Sequence, residues 1–139
     1  TEACMERYRS DLARVIDERR RALAGGEAPA ERYLLPGARD LLEGLRSLQQ
    51  QYPIIGDVRG HGLFLGFELV KNRESLAPAT APASYLANRM REKGVLMSTD
   101  GPYDNVLKIK PPMCVGKAQV DFLIETLHQV LQEDILRVD

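Results

Sequence analysis

The chain has only two cysteines in 139 residues. Cys4 and Cys114 lie too far apart for metal-ligand spacing, and so sparse a set points to a reduced, cytoplasmic protein. No apolar run approaches the roughly 18 residues that a membrane span requires, and no signal-peptide pattern is present, so neither insertion nor secretion is indicated. Neither sign of charge dominates. Nineteen Lys and Arg against twenty Asp and Glu leave a formal net charge of −1, which argues against a nucleic-acid-binding surface. His61 and His128 have no second His nearby and no visible Ser or Cys pairing, so no nucleophile–base couple emerges and no catalytic residue is assigned. An Asp-x-Asp nucleophile motif is also missing, which removes chemical support for phosphatase activity. The chain opens on a mid-helix sequence without an initiator Met, the start expected of a fragment or a processed product.

What is present is enough apolar residue, 44% of the chain, to build one core. The most structured stretch is 53–71. Leu63, Leu65, Phe67 and Leu69 alternate with Phe64, Gly66, Glu68 and Val70, the two-residue period of a strand with one buried face. Arg59-Gly60-His61-Gly62 before it reads as a Gly-rich turn after an earlier strand, and Gly66 suggests a close backbone approach or a bulge. Gly60-x-Gly62-x-x-x-Gly66 lacks nucleotide-fingerprint spacing, and a strand follows where a helix should begin.

Around this stretch the periodicity predicts helices over 2–24, 38–51, 80–93 and 117–133. Gly25-Gly26 stops the first, and Pro29 lies in the loop after it. Thr80 is the expected N-cap of the third, with Ala83, Leu86, Ala87 and Met90 inward and Gly94 as its stop. Val120, Leu123, Ile124, Leu127, Val130 and Leu131 form the stripe of the last. Short strands are expected at 95–98 and 105–110, with Thr99-Asp100-Gly101-Pro102 as a loop between them. The class is α+β: a small, mostly antiparallel sheet with helices on one face, preceded by an N-terminal helical segment. In the last strand Lys108 and Lys110 share one face, where a rigid cation can hold a substrate anion in register. Arg59 is the second substrate-binding candidate, for such an anion or for a partner subunit, with a structural ion pair or carbonyl contact at the Gly-rich turn as the favoured alternative. Asp57 and Asp100 read as isolated turn-formers, His61 as a turn residue, His128 as packing or surface, and Cys114 as a small buried hydrophobe.

Two ordered blocks carry a resemblance. The first is Gly56-Asp57-Val58-Arg59-Gly60-x-Gly62-Leu63-Phe64-x-Gly66-x-Glu68-Leu69-Val70. The second is Gly94-Val95-Leu96-Met97-Ser98-Thr99-Asp100-Gly101-Pro102, followed by Val106-Leu107-Lys108-Ile109-Lys110-Pro111-Pro112-Met113-Cys114. Together, over about residues 40–134, they resemble the C-terminal small domain of class III pyridoxal-phosphate-dependent aminotransferases. The likeness is nearest to the phospho-lyases acting on phosphoethanolamine or phosphohydroxylysine, which share the Lys-x-Lys-Pro-Pro-Met pattern.

The resemblance implies an N-terminal segment at 1–38 and a small domain at 39–139. It implies pyridoxal phosphate in the intact enzyme but none for this chain alone. The Schiff-base lysine, the Asp on the pyridine nitrogen and the main phosphate loop belong to a large domain whose motifs are absent here. It also places Lys108 where many family members carry an Arg that binds the substrate α-carboxylate. Lys offers a point charge in place of a planar fork, which shifts the expectation from α-amino acids towards the phospho-lyases. The implied partners are a small anionic amino substrate, a second copy of the chain or the missing large domain. The other reading is a non-catalytic interaction module or fusion fragment. Residues 1–42, through Arg32–Leu42, bear a shorter resemblance to the cap segment of haloacid-dehalogenase-type hydrolases.

Overall fold

The computed structural model describes residues 36–138 and, before them, Glu2, Glu6, Arg9, Ser10, Ala13, Arg14 and Asp17, which are helical and exposed. The rest of the expected first helix, its Gly25-Gly26 stop and the Pro29 loop lie outside the described residues. Helix α1 spans Pro36–Gln51. It starts earlier than the apolar pattern alone suggests, because Pro36 fits a first helical position where a missing N–H costs nothing. Ala38, Leu41, Leu42, Leu45 and Leu48 are buried along it. At its end the Arg73 guanidinium donates to the carbonyls of Gln49, Tyr52 and Ile55, a cation placed where the helix leaves acceptors unpaired.

Strands β1 (Ile55–His61) and β2 (Phe64–Leu69) form an antiparallel hairpin. The expected turn at 59–62 is displaced: Arg59, Gly60 and His61 belong to β1, and only Gly62 and Leu63 turn. Gly62 has φ +60, a sign that suits Gly at the first position of a two-residue hairpin loop. The bulge falls at Gly56, where the register shifts between Ile55 and Asp57; a Cβ there would lie 2.8 Å from the Val70 side chain. Gly66 is instead a close approach, with a Cβ position 3.1 Å from the Leu107 carbonyl oxygen.

Helix α2 (Thr80–Glu92) buries Ala83, Leu86 and Met90. Ala79, not Thr80, is its N-cap, and the Thr80 hydroxyl donates to the Tyr103 carbonyl at 2.6 Å. Gly94 at φ +88 ends the helix as expected, but no strand follows at once. Val95 donates to the Met90 carbonyl, and Leu96 is 86% exposed. Strand β3 is Ser98–Asp100, later than expected and running into the supposed loop. It pairs with β4, Val106–Ile109, which pairs in turn with β2. The sheet order is β1-β2-β4-β3, antiparallel throughout.

Helix α3 (Lys117–Leu131) follows, with a short 3₁₀ turn at Asp134–Leu136. Val120, Leu127, Val130 and Leu131 are buried; Leu123 and Ile124 are partly so. Cys114 is half-buried in the turn before α3 and disulfide-bonded, which replaces the expectation of a reduced, fully buried thiol. Tyr85 and Arg89 on α2 both bind the Glu133 carboxylate beyond the end of α3, tying the two helices together.

The three helices share one face of the sheet. Leu65, Phe67, Leu69, Leu107 and Ile109 point into them and are nearly inaccessible. No helix among the described residues is long and apolar enough to cross a membrane. Phe67 is 0% exposed at the centre of the sheet, so Phe67→Ala is expected to cost about 3–5 kcal/mol. Urea unfolding with an unchanged m-value checks this; a loss under 1 kcal/mol (roughly a single methylene's worth) would mean the core does not centre on β2.

Candidate functional site

Among the described residues no helix covers the opposite face of the sheet, and the residues of that face follow from the register. Arg59, Gly66, Lys108 and Ser98 are cross-strand partners in one row; Asp57, Glu68, Val106 and Asp100 form the next. Antiparallel partners share a face, so both sequence-predicted cations are brought together. They stand two strands apart, roughly 10 Å between backbones, with only Gly66 between them. The missing side chain leaves a hollow of about 490 Å³, lined by Arg59, His61, Phe64, Gly66, Asp100 and Lys108 among others.

Each cation is held by carboxylates. Arg59 donates from Nη1 to Asp57 Oδ2 at 2.6 Å and to Glu68 Oε2 at 3.1 Å. These two contacts, the Asp57 bond first, raise its already high pKa. Among the described residues its Nε and Nη2 make no hydrogen bond, so one full edge of the guanidinium faces outward, the edge that pairs with an oxyanion through two parallel bonds. Lys108 Nζ binds Asp100 Oδ2. This contact, followed by the Gly101 N–H at 2.8 Å from Oδ1, holds the Asp100 carboxyl below its ordinary range. Asp57 and Asp100 are thus strand residues partnering the cations, and the turn-forming role expected of them does not hold. Lys110 lies with its ammonium 4.8 Å from the centre of the Phe64 ring.

His61 ends β1 at the rim of the hollow, exposed, and makes no hydrogen bond or ion pair with an acid or base among the described residues. His128 lies away from this face, bonded through Nδ1 to the Tyr52 hydroxyl at 2.9 Å and through Nε2 to Gln132. No cluster of three or more His, Cys, Asp or Glu able to hold a metal occurs among the described residues.

Sequence reasoning passed over Glu68 and Asn105. Asn105 is 2% exposed and donates from Nδ2 to Glu68 Oε1 at 3.1 Å and to the Leu69 carbonyl at 2.9 Å. A polar side chain buried next to β4 with no partner within its own segment was the available signal, since such a group must find a distant one.

The class-III aminotransferase family model matches residues 37–131. The chain is 48% identical over 98 residues to the alanine–glyoxylate aminotransferase 2-like protein of Drosophila melanogaster, covering 67% of this chain and 20% of that protein. It is 45% identical over 89 residues to ethanolamine-phosphate phospho-lyase homolog 1 of Caenorhabditis elegans, covering 63% and 19%. An Arthrobacter phospholyase solved in complex with phosphoethanolamine superposes with a TM-score of 0.62 at 40% identity, over 66% of this chain and 22% of that one. The chain therefore spans about a fifth of the length of these relatives.

The Lys108–Asp100 contact sets a pH dependence. A carboxyl whose folded pKa is depressed contributes stability above its unfolded value, lost as pH falls through the folded one. The Asp100 carboxyl carbon, followed by NMR, is expected to titrate below the ordinary aspartate value of about 3.9. In Lys108→Ala the midpoint should rise towards that value but not reach it, because the Gly101 N–H remains. An unchanged midpoint would show that Lys108 does not hold Asp100 in solution.

Proposed function

The chain belongs to the class III aminotransferase family, and on that premise we propose that it supplies one wall of a substrate site, where Arg59 and Lys108 hold the anionic end of a small amino substrate. The observation that carries this reading is the cross-strand row Arg59–Gly66–Lys108 over the hollow, with an outward guanidinium edge on one side and a compact ammonium on the other. A tetrahedral oxyanion offers acceptors in several directions and suits such a divided pair better than a planar carboxylate does. The reading therefore favours phosphate elimination from an aminoalkyl phosphate in the complete enzyme, in keeping with the phospholyase relatives.

Members of this family depend on pyridoxal phosphate, and the transaminase of Pseudomonas jessenii has been solved in complex with PMP. The hollow does not fit that group. Its floor is a single open sheet face, both cations already carry carboxylates, and among the described residues no second wall faces the first to sandwich a pyridine ring. In this reading the cofactor and its lysine come from the remaining length of the family enzyme, and this chain alone does not catalyse the reaction.

Isothermal titration of the chain with phosphoethanolamine at pH 8, where the phosphate is dianionic, tests the anion site. Lys108→Ala and Arg59→Ala are each expected to weaken binding about fivefold, the scale of one partly exposed ion pair. Binding that neither change weakens would place the anion elsewhere.

A further inference from the structure

The outward edge of Arg59 is useful only if the guanidinium is held in one orientation, and the structure contains a chain of contacts that does this. Asn105 is anchored by side chain and backbone: its side-chain N–H₂ group donates to the Leu69 carbonyl and to Glu68 Oε1, and its main-chain carbonyl accepts from the Leu69 N–H at 2.8 Å. Glu68 divides its two oxygens, Oε1 to Asn105 and Oε2 to Arg59 Nη1. A carboxylate fixed by one oxygen presents the other in a set direction. The bond from Nη1 then leaves Nε and Nη2 turned away from it. We infer that Asn105 is a positioning residue, acting through Glu68 to aim the free edge of Arg59 at an anion in the hollow. This rests on the reading of the hollow as an anion site.

The donor and acceptor pattern makes the relay testable without changing its volume. Asn105→Asp keeps the shape but replaces the donor towards Glu68 with an acceptor. Glu68→Gln breaks the same link from the strand side, since its amide cannot accept from both Asn105 and Arg59. Combined, the two changes restore a working order: the new amide at 68 donates to the carboxylate at 105 and accepts from Arg59. The Leu69 carbonyl keeps the Ala79 N–H at 3.0 Å in every variant.

The readout is the dissociation constant of the full chain for inorganic phosphate. Asn105→Asp and Glu68→Gln are each expected to weaken it roughly fivefold, and the double variant to recover most of the loss. In an Arg59→Ala background neither change should weaken binding further, a coupling that a thermodynamic cycle isolates. Equal losses with and without Arg59, no loss at all, or no recovery in the double variant would overturn the relay while leaving the anion site standing. Phosphate binding indifferent to Arg59→Ala and Lys108→Ala alike would overturn the anion site, and the relay with it. If Asn105→Asp does not fold, Glu68→Gln with and without Arg59 decides the same question.

Discussion

The arrangement depends on the described helices all packing on one side of the sheet. Strand β2 fixes this: Leu65, Phe67 and Leu69 all face the helices and are buried, so the period of two sends Phe64, Gly66 and Glu68 to the other face. Slipping the register by one residue would bury Glu68 and expose Phe67, at a cost far above any gain on the open face. The apolar packing therefore determines where the charges stand, and the hairpin and the β2–β4 pairing carry that decision to Arg59 and Lys108.

On the open face the charges nearly cancel. Asp57, Glu68 and Asp100 answer Arg59, Lys108 and Lys110, so an incoming anion meets cations that already have partners. The two candidates differ in what this costs. Lys108 shares its compact ammonium with Asp100 and must divide or exchange that contact to take a ligand. Arg59 gives up one nitrogen to two carboxylates and keeps a whole edge available, so the ion pair and the ligand do not compete for the same hydrogens. A structural ion pair and a binding role, set out as alternatives for Arg59 in the sequence, are thus compatible.

Much of this was legible in the sequence, where the signal was local. The alternation in β2, the stripes of α1 and α3, the Gly94 stop and the two candidate cations can all be read from neighbouring residues. The failures came where a distant partner decides. Val95-Leu96-Met97 has strand-forming residues, but it is Ser98–Asp100 that pairs with the β4 edge at Val106–Lys108. Thr80 has the right chemistry for a cap, yet the Tyr103 carbonyl captures its hydroxyl. Asp57 and Asp100 look like turn-formers because nothing in the local sequence reveals cations across the sheet. The link from Asn105 to Glu68 spans two strands and depends on the register, which no local pattern specifies.

The most direct measurement is a phosphate titration of the ¹⁵N-labelled chain, with each amide followed by NMR. The account predicts that the shifts concentrate on Arg59, Gly60, Gly66 and Lys108, saturate together, and leave unmoved a second hollow of about 500 Å³ between α1 and α3, lined by Gly44, Ser47, Ile124 and His128 among others. Shifts centred on that groove, or scattered over surface lysines without saturation, would contradict the claim that the sheet face carrying Arg59 and Lys108 is an anion-binding wall.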